Sequence, residues 1–139
     1  MKHRKGKIVS EYAKMWPREV FDIKRGNKLL EEIKDLLSSP GVYVLYRDDH
    51  PYYVGKAETK LFNRIWQHAN RPKDRYYNFW NFFSAFAVTK KQFIDEVEGV
   101  LIAAMPTENS AVRRINKIHL PPKVAKLIRE QRIIRVNNK

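Results

Sequence analysis

The sequence predicts an α+β fold: a small three-stranded sheet, antiparallel or mixed, with flanking helices in the order β-β-α-β-α and helical additions at both ends. Three observations predict it. Two short runs rich in Val and Tyr, residues 41–46 and 52–55, flank Arg47-Asp48-Asp49-His50-Pro51 and read as a β-hairpin. Apolar residues elsewhere recur at helical spacing. A third run, residues 82–88, alternates and puts Phe82, Ser84, Phe86 and Val88 on one face.

Residues 1–26 are mixed, with a basic start and Pro17. Residues 27–38 read as a helix, since Leu29, Leu30, Ile33, Leu36 and Leu37 share a stripe and Asn27 can cap it. Ser38-Ser39-Pro40-Gly41 ends that helix and launches the hairpin. Residues 60–69 follow as a helix with Thr59 as its cap, and residues 70–81 are polar, aromatic and turn-rich. Thr89-Lys90-Lys91-Gln92 is a capping-box pattern opening a helix that runs to about Met105, where Pro106 stops it. Pro121-Pro122 precedes a last basic helix at residues 123–132. The organisation is therefore a helical extension at 1–39, a core at 40–110 and a basic helical extension at 111–139, forming one compact domain overall.

A chain of 139 residues with 43% apolar content supports one core. Its net charge of +13 points to a polyanionic partner, with nucleic acid ahead of membrane. No apolar run approaches the roughly 20 residues of a membrane span. No apolar segment of a secretory signal follows the basic Met1-Lys2-His3-Arg4-Lys5. There is no cysteine, hence no disulfide and no thiolate zinc site, which fits a reducing, cytoplasmic setting. From Arg113 and Arg114 onward the chain carries nine Lys or Arg and one acid, Glu130. That run is expected to touch nucleic acid.

Glu98 is the sharpest single residue. Its helical neighbours Ile94, Leu101, Ile102 and Met105 are all apolar, so the carboxylate lies in the buried stripe, while Glu96 falls on the far side. Such a carboxylate needs a cationic partner or a metal. One carboxylate with waters and phosphate oxygens suits one Mg²⁺, and no second acid falls clearly beside it. Arg64 and His68 are spaced i and i+4 and share a helical face. An arginine clamps phosphate, and a histidine orients water or a tyrosine hydroxyl. Tyr43 and Tyr53 sit on the two hairpin strands. Gly55 permits close backbone approach, and Lys56 is equally suited to phosphate contact or solvation. Arg71, Lys73 and Arg75, interleaved with aromatics, are expected phosphate contacts.

GVY at 41–43, YVG at 53–55, Arg64, His68 and Glu98-x-x-Leu101-Ile102-x-x-x-Pro106-x-x-Asn109 come in this order. Together they resemble the GIY-YIG nuclease family over residues 40–110. The resemblance implies a magnesium-dependent endonuclease that hydrolyses phosphodiester bonds in nucleic acid, DNA ahead of RNA. With only short extensions around the core, the implied cutting is structure-directed or weakly sequence-specific. Catalytic roles fall on Tyr43, Tyr53, Arg64, His68 and Glu98, with Glu98 the ligand of one Mg²⁺ or, in its place, Mn²⁺. Tyr43 is the expected general base and Tyr53 the residue placing water or phosphate, though the two roles can be exchanged. Gly55, Lys56 and Asn109 are expected to support the site. Two other readings keep the same residues. One is a non-catalytic nucleic-acid-binding module acting with a partner protein. The other is a basic ribonucleoprotein component whose tyrosines are core. The sequence does not choose between a monomer and a homodimer.

Overall fold

The computed structural model describes residues 6–77, 79–109, 112 and 115–137. The fold is α+β, built on one antiparallel four-stranded sheet. Its strands are β1 (Glu11–Pro17), β2 (Gly41–Arg47), β3 (His50–Ala57) and β4 (Phe82–Ala87), in the spatial order β1-β4-β2-β3. The helices are α1 (Lys28–Leu36), α2 (Leu61–Asn70), α3 (Ile94–Ala104) and α4 (Pro122–Asn137).

The expected three strands are four, and the sheet is not mixed. The additional strand, β1, lies in the segment expected to be helical. It pairs with β4 through an irregular register between Ala13 and Trp16. That irregularity breaks the period-two pattern by which a strand is read. At the break Met15 has φ +52°, and its N–H donates to Ser84 Oγ at 3.1 Å. Ser84, a buried hydroxyl, is thereby satisfied.

The hairpin forms where expected, with strands longer by a residue or two at their ends and a two-residue turn at Asp48-Asp49. Its register sets Tyr43 opposite Gly55 and Leu45 opposite Tyr53. Alternation then divides the sheet into two faces. Tyr43, Leu45 and Phe83 join the cluster containing Leu61, Ile65 and Trp80. Val42, Val44 and Val54 join Ile94 on the other face. The sheet is covered by α2 on one side and α3 on the other, and β2 is buried along almost its whole length.

Two caps differ from expectation. Thr59 does not cap α2: Lys60 holds the cap position without a side-chain bond. Instead the carbonyls of Ser39 and Leu37 accept from Leu61 N–H (2.8 Å) and Phe62 N–H (2.9 Å), so the chain leaving α1 satisfies the start of α2. The capping box at Thr89 does not form either. A 3-10 turn at Lys91–Phe93 intervenes, and α3 begins at Ile94 without a side-chain cap. Asn27 caps α1 as expected, its Oδ1 accepting from Leu29 N–H at 2.9 Å.

Candidate active site

β3 is an edge strand, and a cleft of about 830 Å³ opens along it. The cleft receives side chains from both faces of the sheet. Tyr53 and Arg64 come from the α2 side, and Glu98 and Asp95 from α3. Three of the five expected catalytic residues, Tyr53, Arg64 and Glu98, therefore line one space. Glu98 is half-buried while Glu96 is exposed, as the apolar stripe requires.

The other two, Tyr43 and His68, lie behind the cleft wall. Tyr43 is 0% exposed and His68 2%. The Tyr43 hydroxyl is 2.6 Å from His68 Nε2, and His68 Nδ1 is 2.9 Å from Asp74 Oδ1. The same Asp74 oxygen accepts from Tyr76 N–H at 2.9 Å. An ionised carboxylate only accepts, so Nδ1 carries the imidazole proton. Nε2 is then the acceptor for the Tyr43 O–H. The three residues form a directional chain, Tyr43 to His68 to Asp74.

Burial sets the protonation of this chain. It pushes the Tyr43 phenol far above its ordinary value, an effect that Tyr53 adds to and the Arg64 guanidinium opposes. It also holds His68 below the ordinary histidine value, against the pull of Asp74. For Asp74 burial works upward, but the bonds from His68 and the Tyr76 N–H outweigh it and the carboxyl sits below its usual value. At neutral pH the chain rests as phenol, neutral imidazole and carboxylate.

Gly55 makes room for the phenol. A Cβ there would run into the Tyr43 ring, including its hydroxyl, and would come within 2.8 Å of Cε2. Lys56 Nζ pairs with Asp95 Oδ1 at 2.6 Å, and this bond is the main cause of its raised pKa. Asn109 clips the outer edge of β3. Its Oδ1 accepts from Val54 N–H and its Nδ2 donates to Val54 C=O, both at 2.9 Å. Glu108 N–H adds a bond to Tyr52 C=O at 2.8 Å. These contacts extend the sheet by one rung and cover part of a free edge.

Of the expected phosphate contacts, Arg75 lines the cleft, Arg71 lines a second groove beyond α2, and Lys73 is exposed and lines neither. Arg113 and Arg114 lie outside the described residues. The expectation that no other acid stands near Glu98 is not met: Glu58, Asp95 and Glu108 line the same cleft. Asp95 precedes Glu98 by three positions, a helical spacing that already puts the two on one face. Asp74 is the residue the sequence reading missed. Its only signal is an acid in a polar loop six positions after His68.

No family model, curated protein or solved structure matches the chain. Among the described residues no helix is long and apolar enough to cross a membrane.

Proposed function

We propose that the chain is a metal-dependent endonuclease of the GIY-YIG kind, hydrolysing phosphodiester bonds in DNA. One observation carries the reading: Tyr53, Arg64 and Glu98, from three separate elements, meet in one cleft backed by the chain from Tyr43 to Asp74.

Arg64 is exposed at the cleft and bonded to Gln67 Oε1 at 2.9 Å, so it can exchange that partner for a phosphate oxygen. The guanidinium stands close enough to the Tyr43 hydroxyl to act on its pKa, so its movement toward a phosphate is the step that would admit a water to that buried hydroxyl. Tyr43 has no stable phenolate at rest, because burial forbids it. Its proton passes to His68 Nε2 as the water's proton arrives, and Asp74 stabilises the imidazolium that results. Tyr53, half-buried in the cleft wall, orients the water or the phosphate. The donors around Glu98 are oxygens, the type a hard divalent cation takes. Among the described residues no three acids or histidines form a complete cage. Glu98 would therefore hold Mg²⁺ with waters and substrate oxygens completing its shell. Bound there, the ion supplies charge stabilisation of the leaving oxygen.

The burial of Tyr43 and His68 favours one competing reading, a polar core network with no chemistry. Supercoiled plasmid and a branched oligonucleotide separate the two. The nuclease nicks in Mg²⁺, stops in EDTA, and stops in Glu98→Ala and Tyr43→Phe. A core network gives salt-sensitive binding, no cutting in Mg²⁺ or Mn²⁺, and Tyr43→Phe that differs from the parent in stability alone.

A further inference from the structure

We propose that the nucleic-acid strand entering the cleft continues over α2 into a second groove, where Arg25, Lys34 and Arg71 hold its phosphates. The proposal rests on the nuclease reading for what the cleft does, but not for what the groove binds. The argument begins with charge. The cleft is lined by four cations, Lys56, Lys60, Arg64 and Arg75, and by four acids, Glu58, Asp95, Glu98 and Glu108. It is neutral in sum, and Lys56 is already bound to Asp95. A neutral cleft can position one phosphate but gives a polyanion little net attraction.

The second groove, about 400 Å³, lies across α2 and differs in kind. Its charged lining is Arg25, Lys34 and Arg71, three cations and no acid. The exposed Glu31 near Lys34 (3.7 Å) is a surface pair and weakens this little. Asn63 and Gln67 line both cavities, so they form a polar saddle joining the two. Gln67 is also the residue from which Arg64 must part. Beneath the cations, half-buried Trp66 gives the groove an apolar floor suited to a sugar or base face. A strand whose scissile phosphate sits at Arg64 therefore crosses Asn63 and Gln67 and meets three cations on the far side.

Fluorescence anisotropy with a labelled DNA oligonucleotide, without divalent ions, tests this apart from cutting. Arg25→Glu/Arg71→Glu is compared with Lys14→Glu/Lys90→Glu, which makes the same charge change at exposed sites on other elements. Circular dichroism checks that each is folded, and Arg25→Ala/Arg71→Ala serves if the reversal is not. The groove variant should bind at least tenfold more weakly than the charge-matched control. Its slope of log K against log salt should fall by about 1.4–1.8, two phosphate contacts at roughly 0.7–0.9 each. Equal losses in the two variants overturn the groove. So does polyglutamate competing as well as DNA, which would make the groove an acidic-protein site. Binding that follows the groove in a chain that never cuts upholds this proposal while the nuclease reading fails.

Discussion

An ionised carboxylate can only accept hydrogen bonds, and so Asp74 decides that His68 carries its proton on Nδ1 and leaves Nε2 to accept from Tyr43. Replacing His68 by Ala should lower kcat by about 10²–10⁴, the usual worth of a positioned acid–base group, as measured in single-turnover nicking. Asp74→Asn should lower kcat while leaving KM nearly unmoved, and should shift the acidic limb of the pH–rate profile downward, because the imidazolium loses its carboxylate. In the parent of the proposed nuclease, cutting should hold at the ordinary histidine value of 6.5 and persist somewhat below it, falling only as pH drops through the lowered folded value, where Nε2 takes a proton and ceases to accept from Tyr43. Stability follows the same direction. His68 has a lower pKa folded than unfolded, so the unfolded chain binds the proton more readily. Its contribution is complete above about pH 6.5 and is lost as pH falls toward the folded value. Asp74, also depressed, loses its contribution at lower pH still. Gly55→Ala acts on the same residue sterically. Displacing the Tyr43 ring should cost about 1–3 kcal/mol in urea denaturation and uncouple the hydroxyl from His68.

Among the elements, β3 depends on the segment that follows α3. Asn109→Ala removes both side-chain bonds to Val54 and leaves an N–H and a C=O on a half-covered edge. The expected loss is about 1–3 kcal/mol, read as a lower urea midpoint, with amide exchange rising first at Val54. The hairpin, α1, α2, β4 and α3 could all be read from the sequence because each carries its own periodicity or turn chemistry. β1 could not, because its pairing is with a strand some seventy residues away and its register slips where Met15 turns to positive φ. The caps of α2 escaped for a related reason: backbone carbonyls from another segment stand where a side chain was expected. Of the candidate site, Glu98 and the Arg64–His68 pair were singled out by helical spacing, and Tyr43 by the family resemblance. The separation into an open cleft and a buried chain was not, since it follows from which face of the sheet each strand residue takes. Asp74 was invisible because a loop, which has no periodicity, delivers it.

For the molecule as a whole, a net charge of +13 sets the terms of binding. If the chain binds and cuts DNA as proposed, affinity should fall steeply and linearly in log salt, and equally so in EDTA, where cutting should stop. Helix α4 carries three exposed cations, Lys123, Lys126 and Arg129, that would add to such an attraction. The N-terminal segment matters in a different way. Arg18, just after β1, donates to Ala69 C=O at 2.7 Å and Trp80 C=O at 3.3 Å, and its guanidinium lies over the Trp80 ring. Ala69 is the neighbour of His68, and Trp80 Nε1–H points at the His68 carbonyl, 3.4 Å away. A residue that lines no part of the cleft thus anchors the end of the helix carrying the histidine. In a random-mutagenesis screen scored by loss of cutting, Arg18 should appear beside the cleft residues. Its defect, unlike that of Glu98 or Arg64, should be rescued by lowering the growth temperature.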